Sequence, residues 1–580
     1  MNKYTEKKNI LILIALLKQH GIKRIVISPG TTNIMFVASV QQDSWFEIYS
    51  AADERSAAYI ACGLAGETGD PVVLSCTGAT ASRNYFPGLT EAYYRKLPIL
   101  AVTSMLGTDL PGQHMPQVLD RTVVPNDAVK LSVSLPEINN EDDVWKCNLL
   151  VNQAILALRK EGGGPVHINL VASFSYNFNV EQLPDTRMIR RIVPGDCLPE
   201  ITKGKTVAVF VGSHPKWNEK EVEAVENFCK KYDAFVLCDH TSGYRGKYRV
   251  LSALLGSQEQ LKFEEYTLDL LIDIGEVSGD YYALPAKEVW RVSHDGEIRD
   301  RFKKMTHVFE MSEKYFFESY IQEAGELQES GLAYERYTQK LCELRDQIPE
   351  LPFSNIWAAQ QLACRLPKNA VIHFGILNSL RAWNFFEIPE SVRSSCNVGG
   401  FGIDGCLSTL IGASLADNEK KYFAVVGDLA FFYDMNSLGN RHVGKNIRIM
   451  LVNNGRGTEF RHYSHPAASV LKEEADLFVA AAGHYGRQSS ALVKHYAEDL
   501  GFEYLSASTK EEFMSAAEKF ICEEDRERPI LFEVFTESEL ESEALAMIRN
   551  IEKNASIKHY IKQKIGTQNI EIIKSKLKKN

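Results

Sequence analysis

Two short segments place hard oxygen donors at a spacing that suits a divalent cation. A strand-like apolar run over 423–426 ends in Gly427-Asp428. Twenty-six residues after Asp428, Asn454 lies in the Asn453-Asn454-Gly455 that closes a second apolar run over 447–452. That separation fits a parallel βαβ unit, because a crossover with its helix needs a dozen or more residues and brings both strand ends to one edge of the sheet. Open α/β sheets bind ligands at that edge. A carboxylate from Asp428, an amide oxygen from Asn454 and a backbone carbonyl nearby form a donor set for Mg2+, which completes its shell with water and ligand phosphates. A lone Gly-Asp after a strand is weak evidence, since Asp is common at strand ends and helix caps. Here the spacing, the doubled Asn and the glycines occur together, and the unit is expected to clamp a metal and a diphosphate.

Positioning such a clamp requires alternating strands and helices. From residue 8 to about 185 helical periods alternate with apolar runs at 24–27, 71–75, 98–103 and 165–170, which predicts parallel strands with covering helices. Pro184, Pro194 and Pro199 then punctuate a linker. A second α/β pattern has strands at 206–212, 234–238, 268–275 and 288–292, with an amphipathic helix near 218–232. It ends in a charged helical stretch over 334–347. The expected fold class is α/β with three doubly wound parallel-sheet domains at 1–185, 186–350 and 351–540, followed by a helical lysine-rich tail at 541–580. No internal repeat is evident in the sequence.

At 580 residues the chain exceeds one core. Its 45% hydrophobic and 24% charged residues are ordinary for a globular protein. A net charge of −10 argues against nucleic acid as the main partner. Eleven cysteines without a CxxC pair or zinc-like spacing fit thiols in a reducing compartment, and Cys76, Cys396 and Cys406 read as small core residues. The apolar run over 10–17 is too short to span a bilayer and lacks a cleavage site, so an amphipathic first helix, no membrane span and a cytoplasmic enzyme are expected. Residues 553–580 carry eight lysines against one glutamate, a solvated tail or a docking element for an acidic partner or membrane surface.

The Gly-Asp and Asn-Asn pair resembles the signature of thiamine-diphosphate enzymes, with Leu429 in place of the third-position glycine. The segment from Gly427 to Leu438 is similar to the menaquinone-pathway carboligase branch, the 2-succinyl-5-enolpyruvyl-6-hydroxy-3-cyclohexene-1-carboxylate synthases, which also carry Leu there. Three further blocks agree in order: Ser28-Pro29-Gly30 with Asp53-Glu54-Arg55-Ser56-Ala57; Cys76-Thr77-Gly78-Ala79-Thr80 with Asn84-Tyr85-Phe86-Pro87; and the run from Asn397 to Gly405.

The resemblance implies pyrimidine-binding, middle and diphosphate-binding domains, with thiamine diphosphate and Mg2+ held between subunits of a homodimer or homotetramer. It makes Glu54 the catalytic carboxylate against a pyrimidine nitrogen, although an acid at that place would also favour a helix N-terminus. Asp428, Asn454 and the backbone carbonyl of Arg456 become metal ligands. Thr77, Thr80, Asn84, Asn378, Ser379, Gly402, Gly427, Leu429 and Ala430 contact the coenzyme, and Ile403 is the buried apolar side chain beneath it. His114 or Gln117 is placed to move protons on the bound substrate, or to stabilise its own loop. Arg381, Glu459, Phe460, Arg461 and His462, with His465 beyond, would line the substrate cleft.

Departures bear on the substrate. Thr31-Thr32-Asn33 stand where the branch has an arginine after Ser-Pro-Gly-Ser, Val398 replaces another arginine, and none appears near Thr103-Ser104-Met105; Glu459 replaces an apolar residue. Loss of bidentate carboxylate anchors together with a gained acid argues against a dicarboxylate donor and acceptor. The expected function is decarboxylation of a 2-oxo acid with transfer of the carbanion to a carbonyl or alkene acceptor. The alternatives are a simple decarboxylase, an FAD-containing oxidoreductase and a non-catalytic relative. Val211-Gly212-Ser213-His214 is no GxGxxG, which disfavours flavin, and intact Glu54, Asp428 and Asn454 disfavour the last.

Overall fold

Apolar runs too short for helices become strands, and the residues between them carry helical periods that cover both faces. The computed structural model describes residues 3–552 apart from 122, 172, 280–281, 324–330, 484–488 and 525. The lysine-rich segment 553–580 lies outside the described residues. Two compact units are present, one of Met1–Cys197 with Asp295–Glu310, the other of Leu198–His294 with Met311–Asn580.

In the first unit, β1 (Arg24–Ile27), β2 (Glu47–Ser50), β3 (Val72–Cys76), β4 (Ile99–Met105), β5 (Leu131–Leu135) and β6 (Val166–Val171) form a parallel sheet in the order β2-β1-β3-β4-β6-β5. Strands β3, β4 and β6 are buried at every residue. Val73, Leu100, Val102 and Ile168 enter one core while Val72, Leu74, Ile99 and Ala101 enter the other, the period-two alternation of a sheet covered on both sides. The first helix, Lys8–Gln19, departs from expectation. Nine consecutive residues, Asn9 to Leu17, are buried, so the helix is enclosed on all sides and not amphipathic. Asn9 fits there because its Nδ2 donates to the carbonyls of Pro136 (2.9 Å) and Val171 (2.6 Å). A short strand, β7 (Arg190–Ile192), follows.

In the second unit, β8 (Val207–Val211), β9 (Phe235–Cys238), β10 (Arg249–Leu251), β11 (Leu268–Ile274) and β12 (Ala286–Ser293) are parallel in the order β10-β9-β8-β11-β12. The helix Glu219–Tyr232 opens with a reciprocal capping box between Asn218 and Glu221. Strand β13 (Met305–Glu310) belongs to the first unit, where it pairs parallel with β7.

The remaining strands are β14 (Val371–Phe374), β15 (Arg393–Cys396), β16 (Tyr422–Gly427), β17 (Ile447–Asn453), β18 (Glu503–Ala507) and β19 (Ile530–Phe535), parallel in the order β15-β14-β16-β17-β19-β18. Strand for strand this repeats the first sheet, although the sequence shows no repeat. Both sheets reverse winding direction between their first and third strands, and such switch points form ligand crevices outside the strands' carboxyl ends. The expected C-terminal helix is present as Ser538–Arg549, beginning before residue 541, and its Ser538 and Glu541 are buried.

Candidate functional site

The expected βαβ unit is present: β16 and β17 are adjacent and parallel, with Gly427 opposite Val452. Asp428 opens the helix Asp428–Asp434 and is 4% exposed. Its Oδ1 accepts from the Leu429 N–H at 2.7 Å, and Oδ2 accepts from the amides of Asn454 (3.1 Å), Gly455 and Arg456 (3.2 Å). Gly455, at φ +70°, takes the left-handed turn that lets three consecutive amides converge. Burial pushes the Asp428 carboxyl up to about 6, and the four amides offset this only in part. The Arg456 guanidinium is drawn aside by Asp476 (2.6 Å), while its carbonyl accepts from Thr458 at 2.9 Å and keeps a second lone pair.

Two further acids lie near. Glu533 accepts from Asn453 Nδ2 and Tyr504 Oη, each at 2.7 Å, and burial together with the charge of Asp428 raises it. Glu541, 5% exposed, accepts from the Asn355 N–H at 2.9 Å and is pushed by burial up to about 7. Sequence reasoning missed Asn355, Glu533 and Glu541, which belong to no motif. Among the described residues no group of three or more His, Cys, Asp or Glu could hold a metal. The set at Asp428 is of another kind, one carboxylate with amide and carbonyl oxygens, and it suits Mg2+ that draws its remaining ligands from a diphosphate and water. A cation there would also relieve the buried acids.

The other half of this switch point follows β14. Leu377 stands at φ +68°, ψ −121°, a conformation that favours glycine, and leads into the helix Asn378–Trp383. Ser379 is buried, and His462 Nε2 lies 3.1 Å from Asn378 Oδ1. A cavity of roughly 300 Å³ is lined by Asn378, Arg381, Glu459, His462, His465 and Glu541 among others. Within it Arg381 and Glu459 are paired, so the gained acid and the candidate anchor neutralise each other. Burial lowers His462 to about 4, leaving it neutral. Phe460 meets the His465 ring edge-on at 5.3 Å, and His465 caps the following helix by accepting from the Ala467 N–H at 3.1 Å. Arg461 is turned toward Asp476 (3.7 Å) and Glu539 (3.6 Å). Ile403 is half-buried where full burial is expected, because it packs against the core only at the rim. A Cβ at Gly402 would lie 2.3 Å from Oδ1 of the exposed Asp404 side chain, which would have to turn away.

The first sheet's edge carries the remaining candidates. Glu54 is the first residue of the helix Glu54–Thr68 and is half-buried. Asp53 does the capping, accepting from the Arg55 N–H at 2.9 Å and the Ser56 hydroxyl at 3.0 Å, so Glu54 is left for other work. Thr77 follows β3 and bonds Thr32 Oγ1 across the switch point. Gly30 is required there, because a Cβ would stand 2.6 Å from that of Thr77. Thr80 and Asn84 are exposed on the short helix Ala79–Asn84. His114 and Gln117 are exposed in a loop, both left-handed at φ +57° and +61°.

The structure thus brings Asp428, Asn454 and Arg456 together, and separately Asn378, Arg381, Glu459 and His462, all in the second unit. Glu54, Thr77, Thr80, Asn84, His114 and Gln117 belong to the first. Residues 11–123 match the thiamine pyrophosphate enzyme, N-terminal TPP binding domain, and residues 378–534 match the corresponding C-terminal TPP binding domain. Similar proteins include the 2-succinyl-5-enolpyruvyl-6-hydroxy-3-cyclohexene-1-carboxylate synthase of Bacteroides thetaiotaomicron, 33% identical over 557 residues, 92% of this chain and 96% of the relative. That of Phocaeicola vulgatus is 32% identical over 567 residues, 93% and 98% of the two chains. That of Flavobacterium johnsoniae is 27% identical over 502 residues, 81% and 88%. With two matched coenzyme-binding domains falling on the two sheets that share a topology, and a third of all positions identical to full-length relatives, the chain belongs to the thiamine pyrophosphate enzyme family.

Proposed function

We propose that the chain is a thiamine-diphosphate- and Mg2+-dependent enzyme that removes CO2 from a 2-oxo acid and joins the remaining fragment to an acceptor. The observation that carries this is the convergence of three loop amides on buried Asp428 at the third sheet's switch point. When bound, the coenzyme supplies an acidic thiazolium carbon and an electron sink. Asp428, Asn454 and the Arg456 carbonyl would hold the cation, and Gly427, Leu429, Ala430, Asn378 and Ser379 would face the diphosphate. Glu54 would hold a proton at a pyrimidine nitrogen, with Thr77, Thr80 and Asn84 as the surrounding wall and Gly402 and Ile403 as the apolar support. His114 or Gln117 would move a proton on the substrate.

Domain boundaries near residues 185, 350 and 540 are part of this proposal. So is a homodimer or homotetramer in which one subunit's Glu54 completes another's Asp428 site. The relatives are named for a menaquinone-pathway synthase, but the cavity here offers a paired Arg381–Glu459 and a neutral His462, groups that hydrogen-bond a polar uncharged acceptor. This supports transfer to a hydroxylated carbonyl compound over transfer to a dicarboxylate. Among the described residues no helix is long and apolar enough to cross a membrane.

The test supplies thiamine diphosphate, Mg2+ and a panel of 2-oxo acids, with and without aldehyde acceptors, and follows CO2 release and product mass. Release that depends on acceptor, with a ligated product, is expected. Release without acceptor would make the protein a simple decarboxylase, and no coenzyme uptake by calorimetry would overturn the proposal.

A further inference from the structure

The arginines expected to bind substrate carboxylates are missing from their usual places, yet a guanidinium is buried at the first sheet's edge. Arg121 is 5% exposed, and its Nε and Nη1 are enclosed without a hydrogen-bond partner among the described residues. An unpaired buried donor costs roughly 1–3 kcal/mol, and more when it is charged, so a guanidinium so placed is a liability to the fold on its own.

Its surroundings do not compensate it. Arg121 lines one small cavity with Thr32, Ala79, Ser104 and Gln117, and a second with Arg83, Thr103 and His167; neither lining includes an Asp or Glu. His167 is held between Thr103 Oγ1 (2.7 Å) and Ser132 Oγ (2.8 Å), and burial, aided by the charge of Arg121, pushes it down to about 3. Arg83 donates to the Asp120 carbonyl at 2.8 Å, which leaves its positive charge in place. Glu54 stands on the same sheet edge but lines neither cavity, so the cationic character is confined to the two pockets around Arg121. Gly78 lets the guanidinium approach, since a Cβ there would lie 3.4 Å from Arg121 Nη1 and 3.0 Å from the Ser104 carbonyl.

We propose that Arg121 is a substrate-carboxylate anchor, taking the place of the displaced arginines from the cavity it shares with Thr32 and Gln117. That cavity measures about 30 Å³, room for roughly two water-sized oxygens, as a carboxylate presents. A guanidinium matches such a pair bidentately. Burial lowers Arg121 only to about 10, so it stays charged at neutral pH. The inference rests on the proposed 2-oxo acid chemistry but is tested separately from it.

Holoenzyme of the wild type, Arg121→Met and Arg121→Lys is titrated calorimetrically with 2-oxoglutarate, a donor-type probe, and with succinic semialdehyde, an aldehyde acceptor that carries a carboxylate. The Met variant is expected to bind one probe at least tenfold more weakly, with Lys recovering part. Where turnover is seen, KM should rise and kcat stay within about threefold. Weaker binding of 2-oxoglutarate assigns the carboxylate to the donor, in keeping with an uncharged acceptor; weaker binding of succinic semialdehyde assigns it to the acceptor and replaces the uncharged acceptor proposed above. Thiamine-diphosphate affinity should be unchanged, and Arg121→Met without ligands should melt at or above the wild type, because an uncompensated charge has been removed. Unchanged binding of both probes by Arg121→Met, no uptake of either by the wild type, or a Met variant that melts far below it would overturn the assignment. Failure of the wild type to take up the coenzyme, by contrast, would strike the proposed function.

Discussion

The first and third sheets share one strand order and one switch point, yet the buried charged groups beside them differ in sign. At the third, Asp428, Glu533 and Glu541 are buried acids, each raised above its ordinary range. At the first, Arg121 and Arg83 line small cavities that include no acid, while Glu54 stands apart from both at the start of the helix Glu54–Thr68. Topology supplies the crevice; the loops decide which charge it takes. A buried acid is best matched by a cation and a buried guanidinium by a carboxylate, so the two sites call for ligands of opposite charge.

The largest expected effect tests the first edge. Glu54→Gln should lower turnover by roughly 10²–10⁴-fold while coenzyme affinity, read by calorimetry, shifts less than about threefold. Parallel losses in both would show that Glu54 merely supports the fold. At the third edge Glu541 has a folded pKa of about 7 against an ordinary 4.5. Its stabilising contribution is therefore complete below about 4.5 and lost as pH rises through about 7, on the order of 3 kcal/mol. Urea unfolding from pH 4.5 to 7.5 should show this decline in the metal-free wild type and a flatter profile in Glu541→Gln; identical profiles would contradict it. Asp428→Asn should weaken Mg2+-dependent coenzyme binding at least roughly tenfold and abolish the rise in melting temperature on adding Mg2+ with coenzyme. The smallest effect concerns Leu377. Because its backbone already adopts a glycine-favoured conformation, Leu377→Gly should change stability by less than about 1 kcal/mol, a result that a loss of several kcal/mol in thermal denaturation would exclude.

How much of this was legible depends on whether the signal is local. The pair β16 and β17 could be read because both strands are mostly apolar, with only Arg448 and the terminal Asn453 polar in β17, and one crossover separates them. Strands β14 and β15 were not, since Val-Ile-His-Phe and Arg-Ser-Ser-Cys are short and partly polar, and only their place in the sheet makes them strands. Gly212 could be weighed as a fragment of a nucleotide motif; in the fold a Cβ there would fall 1.8 Å from the Glu276 carbonyl, so the glycine serves to close two backbones together. Asp428 and Glu54 sit in motifs. Glu541 and Arg121 do not, and their character comes from burial, which no window of sequence displays.

The enclosed first helix carries a cost in time. It leaves the ribosome before the segments that hold Asn9 in place, whose anchors at Pro136 and Val171 follow 127 and 162 positions later. Part of its core, from Ile22 to Val102, is made early, but Val133, Leu135, Val151, Ile155, Val166 and Ile168 come late, so the helix stays incompletely covered until β6 is made. Nascent chains stalled short of Val171 should therefore engage chaperones through this segment and aggregate when they are withheld, whereas longer ones should bury it.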